Sequence, residues 1–115
     1  MKSRFPTYND GVLKICTGAT GKSSFGAVKN ALTFSDLQMK SKMAYQECSK
    51  RDEDMEFAES HGRTLSMKVK TRWNVVAKST DYVVIGTMLY SIVKLDFDRK
   101  KSEMYFYPEE ERELR

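Results

Sequence analysis

A chain of 115 residues with 40% apolar side chains suffices for one domain with a modest core. No stretch approaches the ~20 apolar residues of a bilayer-crossing helix, and MKSRFPTYND has no apolar run behind its basic residues, so neither a membrane span nor a signal peptide is expected. The net charge of +4 permits contact with nucleic acid without arguing for it, and Cys16 and Cys48 stand too far apart for a CxxC zinc or redox motif. The expectation is a soluble intracellular protein with reduced thiols, although the sequence leaves open whether the two cysteines meet.

In chain order, residues 1–10 read as an N-terminal arm, broken by Pro6 and Asn9-Asp10-Gly11. Val12 to Cys16 is a short first strand. Thr17 to Gly26 (TGATGKSSFG) holds three of the six glycines and predicts a long flexible loop over 17–30. From Leu37 a strand resumes, with Leu37, Met39, Ser41, Met43 and Tyr45 on one face and Gln38, Lys40, Lys42 and Gln46 on the other. The period then breaks. KRDEDMEFAESH predicts a short helical insertion over 50–62, with Asp52, Glu53 and Asp54 in its first turn, Met55 and Ala58 touching the body, and Gly62 as its stop.

Alternation returns from Arg63 to Trp73, with Leu65, Met67, Val69, Thr71 and Trp73 inward against Thr64, Ser66, Lys68, Lys70 and Arg72. Asn74 to Thr80 is a loop. Three strands then follow in a meander: Tyr82 to Ile85, Leu89 to Phe97, and Glu103 to Tyr107, joined by Gly86-Thr87 and by the polar turn Asp98 to Ser102. In the middle strand Val93, Leu95 and Phe97 alternate with Lys94, Asp96 and Asp98; in the last, Met104 and Phe106 share a face. PEEERELR (108–115) reads as an acidic tail whose charge argues against order. The fold class is therefore mainly β, a small antiparallel barrel of about six strands, since closure removes exposed edges.

Catalytic patterns are weak. GATGKSS resembles a phosphate loop, but the required first glycine falls at Cys16, and no parallel α/β pattern surrounds it. His61 is the only histidine and reads as a helix-end polar residue without a nucleophile partner. Asp52, Glu53, Asp54, Glu56 and Glu59 match no calcium loop and read as a solvated helix face. Asp96 and Asp98 read as surface. No enzyme activity, cofactor or metal is expected. Lys40, Lys42, Lys68, Lys70 and Arg72 would form a basic outer face if their strands pair, which supports an alternative reading as a small barrel binding single-stranded nucleic acid.

One family fits the order of these elements. NDGVLKI, the glycine-rich loop, MKSKMAYQEC, the acidic helix EFAESHG, TLSMKVKTR and YVVIGTMLYSIVKLDFDRKK, with Gly86, Leu89, Tyr90 and Ile92 in the last, cover roughly Asn9 to Arg112. In that order the chain resembles head–tail joining proteins (head-closure or stopper proteins) of long-tailed bacteriophages and prophages of Gram-positive bacteria. The resemblance implies a β-barrel with a long insertion and no enzymatic activity, in a virion protein made in the bacterial host cytoplasm and located at the head–tail interface. It also implies a subunit that is monomeric when isolated and forms a homo-oligomeric ring beneath the portal and adaptor. That ring helps retain packaged DNA in the channel, where the basic residues above would face it, and docks the tail. The partner contacts would fall on the segments a barrel does not need: Gly18, Gly21, Lys22, Phe25 and Gly26 of the loop, and Met55, Phe57, Ala58 and Gly62 of the insertion.

Overall fold

Strand β1 (Gly11–Gly18) sets the pattern for the whole chain: Leu13 and Ile15 are fully buried, whereas Val12, between them and the strand end, is 44% exposed. The computed structural model describes residues 8–18, 37–73 and 77–114. The remaining strands are β2 (Leu37–Cys48), β3 (Lys68–Arg72), β4 (Tyr82–Ile85), β5 (Met88–Asp98) and β6 (Glu103–Glu113). All pair antiparallel, in the order β1-β2-β3-β6-β5-β4, and β4 closes on β1. The result is a closed six-stranded barrel, in which every strand has a neighbour on each side over part of its length. Its interior is filled by Leu13, Ile15, Tyr45, Val69, Val83, Ile92, Met104 and Phe106. Among the described residues no helix is long and apolar enough to cross a membrane.

Two bulges revise the expected faces. On β2, Ile15 lies opposite Ser41 but Cys16 opposite Met39, so Lys40 is an extra residue. One extra residue transfers everything beyond it to the other side of the sheet. Met43 and Tyr45 therefore pack against the interior as predicted, while Met39 is 56% exposed. On β5, Ile92 faces Pro108 and Lys94 faces Tyr107, leaving Val93 as the extra residue. Val93 consequently packs outside the barrel, and Leu95 packs inside.

The region beyond Tyr107 is a second correction. It is no tail: β6 continues to Glu113 and pairs with Met88 to Ile92. Pro108 has no N–H for the ladder, and it sits where the Val93 bulge interrupts pairing; its carbonyl accepts from Ser66 N at 3.0 Å. The acidic charges find donors. Arg63 Nε donates to Glu109 at 2.7 Å, the Thr64 amide donates to the same carboxylate at 2.8 Å, and Ser91 Oγ donates to Glu111 at 2.7 Å. Beyond the strand, Leu114 covers an outer apolar cluster of Cys16, Val84 and Leu89, flanked by Leu37 and Tyr82. Both faces of β4 are thus covered, which is the physical meaning of its unbroken apolar run YVVI.

Helix α1 (Asp52–Ser60) connects β2 to β3 and lies on the outside of β5 and β6. Ala58 is fully buried against Leu65 and Tyr107, with Met55, Val93 and Tyr105 around them, as the thin apolar stripe predicts. Only Lys68–Arg72 of the expected strand from Arg63 joins the sheet. Residues 63–67 run beside β6 instead, which places Leu65 under the helix while Met67 packs on the interior. The helix stops at Gly62, whose φ is +70°. A Cβ there would meet nothing within 4 Å. Gly62→Ala is therefore expected to cost only backbone strain, about 1 kcal/mol, seen as a lower urea midpoint with an unchanged m value.

Both cysteines are free thiols, with Cys16 buried and Cys48 half-buried. Of the N-terminal arm, residues 1–7 lie outside the described region. Its end is anchored: the Asp10 amide donates to Tyr45 O at 3.0 Å and the Asp10 carboxylate accepts from Glu47 N at 2.7 Å.

Candidate functional site

The most unusual chemistry lies where the first turn of α1 meets the β5–β6 hairpin. Asp54, expected on the solvated face, is only 2% exposed; Asp52, Glu53, Glu56 and Glu59 are solvated as predicted. The helix is docked through Ala58, one turn on from Asp54, so the same face carries the carboxylate down to the sheet. There it accepts from Arg51 N at 3.3 Å, Arg51 Nε at 3.2 Å and Lys68 Nζ at 3.3 Å, with Lys94 Nζ at 3.9 Å. Burial alone would raise the Asp54 carboxyl, but these donors outweigh it and hold it below the usual carboxylate range.

The cations are themselves framed by rings. Lys68 Nζ lies 5.2 Å from the centre of Tyr105 and 5.3 Å from Tyr107, and Lys94 Nζ lies 4.6 Å from both Tyr107 and Phe57. Tyr107 donates its hydroxyl to Asp96 at 3.0 Å. Burial, then that bond to an anion, pushes the phenol well above its ordinary value.

Beside this cluster opens a groove of about 570 Å³. Arg51 and Lys68 form one wall, and the hairpin residues Asp96 to Lys100 form the other, with Tyr105 and Tyr107 between them. The turn is held by Asp98, whose Oδ1 accepts the amides of Lys100 at 3.1 Å and Lys101 at 3.2 Å. This fixes Arg99 and Lys100 at the tip. The Arg99 guanidinium lies 5.9 Å above Trp73, and Trp73 in turn leans on Phe97, with ring centres 5.1 Å apart. Trp73, expected inward, is half-exposed at the barrel end, where the interior has run out. Tyr105 and Tyr107 thus line the opening on the outer face of the sheet, while Phe97 and Trp73 lie together on its other face at the barrel end. The groove lining combines cations, two carboxylates and aromatic rings.

The predicted basic face does not assemble. β2 meets β3 only through Gln46 to Cys48, which leaves Lys40 and Lys42 at the far end of β2. Lys40 is paired with Asp81 at 2.7 Å, and Lys68 lies under the helix on Asp54. Lys70 is 3.7 Å from Glu103, a fully buried carboxylate that also accepts from Tyr8 Oη at 2.7 Å. Burial and this bond push the Tyr8 phenol to about 12. Lys42 is exposed opposite Lys14, and Arg72 is exposed above Tyr8, 5.8 Å from its ring centre.

Of the predicted partner residues, Met55 and Ala58 face the barrel, Phe57 is 36% exposed and Gly62 is exposed. Gly18 ends β1, and Gly21, Lys22, Phe25 and Gly26 lie outside the described residues. His61 sits at the helix end with Nδ1 2.8 Å from Phe57 O and 3.1 Å from Ser60 Oγ, the local role expected of it. Sequence reasoning missed the groove because its walls come from segments about 50 residues apart; the available signal was the basic turn Arg99-Lys100-Lys101 flanked by Phe97 and Tyr105. No protein-family model matches the chain, and no curated protein matches it.

Proposed function

We propose that the chain is a virion structural protein: a head–tail connector subunit, of the head-closure or stopper kind, from a long-tailed bacteriophage. It docks below the portal and adaptor, helps retain packaged DNA and offers the tail its attachment surface. The observation that supports this reading is the placement of α1. The helix is inserted between β2 and β3 of a closed barrel, the layout on which the sequence resemblance rests. Ring contacts would use apolar and charged side chains on the outer surface of the barrel. The helix supplies such a surface, with exposed Phe57 among Asp52, Glu53, Glu56 and Glu59. The outer face of β1 and β2 supplies another, with exposed Val12 and Met39.

The test is electron microscopy of particles from a phage whose copy of the gene is inactivated. Filled heads that lack tails and leak DNA are the expected result, and intact tailed particles would end the proposal. The alternative is a small barrel that binds single-stranded nucleic acid; of the basic residues first considered for it, Lys40, Lys68 and Lys70 face carboxylates, whereas Lys42 and Arg72 are exposed.

A further inference from the structure

The geometry points to the groove between α1 and the β5–β6 turn as a binding site for a nucleoside phosphate, taken either as a free nucleotide or as one unit of a single-stranded nucleic acid. This does not depend on the connector reading. Three observations carry it.

The first is the pair of cations at the hairpin tip. Among the described residues neither Arg99 nor Lys100 meets a carboxylate, and both are exposed. The nearest acid in the turn, Asp98, is engaged by two backbone amides, which hold the turn shape without pairing those side chains. Arg51 and Lys68 line the same opening but are paired with Asp54 and Glu53, which leaves the tip cations, held by their turn, to meet a phosphate. Preoriented donors lose little conformational entropy on meeting a phosphate.

The second is the aromatic surface beside the tip cations. Phe97 is 48% exposed and is braced by Trp73 at 5.1 Å, over which Arg99 lies; Tyr105, half-exposed, lines the groove from the opposite face of the sheet. A rigid, accessible ring beside a guanidinium is what a nucleobase stacks on, and the interaction tolerates any base.

The third is the charge balance. Of the four cations that line the groove, Arg51 and Lys68 are already paired with Asp54 and Glu53, so the positive charge left over is that of Arg99 and Lys100 at the tip. A polyphosphate would require more positive charge and no rings, and an inorganic phosphate would leave most of the 570 Å³ unfilled. A ligand that carries about one negative charge for each aromatic ring matches both the balance and the volume.

The test uses the full chain and measures anisotropy of a labelled short oligothymidylate, with competition by unlabelled adenosine monophosphate, inorganic phosphate and a duplex of the same length. Trp73, the only tryptophan, reports independently by quenching. Binding should weaken roughly sevenfold between about 50 and 200 mM salt if two phosphates are contacted on a single strand. The double variant Arg99→Ala/Lys100→Ala should lose about tenfold or more, and Phe97→Ala between about 5- and 150-fold. Lys42→Ala, an exposed cation on the other side of the barrel, should bind as the parent does. Competition by adenosine monophosphate as strong as that of the oligomer identifies the free nucleotide as the source; binding of the oligomer alone identifies the strand. The proposal is overturned if neither ligand binds, if the double variant binds normally, or if inorganic phosphate or the duplex competes as well as the single strand.

Discussion

Asp54→Ala will lower the unfolding free energy by about 3–5 kcal/mol, measured as a fall in the urea midpoint at neutral pH. The carboxylate itself contributes little net stability, because burying it was costly. The penalty comes from what it leaves behind: Lys68, 8% exposed beneath the helix, would lose the anion against it, and the Arg51 amide at the helix start would lose its acceptor. Lys68→Met should be milder, because Asp54 then keeps Arg51 and Lys94 and the methionine fills the space between Tyr105 and Tyr107. The pH dependence has a definite sign. The folded carboxyl titrates below its unfolded value of about 3.9. Its stabilisation is therefore complete above that value and is lost as pH falls through the lower folded one. Parent and Asp54→Ala should differ most near neutrality and converge in strong acid. A loss under ~1 kcal/mol at pH 7, comparable to an exposed pair, would show that the cluster is solvated.

Ending the chain after Tyr107 will abolish cooperative folding. The lost segment provides the partner of β5 from Met88 to Ile92 and, through Leu114, the cover over Val84 and Leu89. It also removes Glu109 from Arg63, whose guanidinium additionally donates to Ile92 O at 3.1 Å and to Ser91 Oγ. Exposing Leu114 and the surface beneath it costs about 1.5–3 kcal/mol, and the lost cross-strand pairs about 0.2–1 kcal/mol each. Together these approach the ~5–15 kcal/mol that an ordinary domain possesses. Near-ultraviolet circular dichroism is the readout: the truncated chain should lose its aromatic signal, whereas Leu114→Ala should keep it and lose about 2–3 kcal/mol. A truncated protein that unfolds cooperatively near the parent midpoint would mean that the second half of β6 is dispensable to the barrel.

The elements were legible because each local signal agreed with the global fold. YVVI runs as β4 over the expected residues, Met104 and Phe106 point inward together, and Ala58 holds the helix down. The failures share one cause. Periodicity assumes an unbroken ladder, and an extra residue at Lys40 or Val93 leaves no mark on composition while reversing every face beyond it. Charge misled in the same way. PEEERE looks like a solvated tail until Arg63, Thr64 and Ser91 arrive from other strands to satisfy it, and Lys68 looks like surface until a helix is laid over it.

By itself the sequence therefore determined the strand count, the antiparallel class, the helix and its stop at Gly62, since those follow from nearest-neighbour backbone preferences and from which side chains avoid water. Tertiary structure alone decided which face each residue beyond a bulge presents, which charges are neutralised and where the groove lies. Those properties depend on pairs of atoms from distant parts of the chain, and their energies exist only once the barrel has closed.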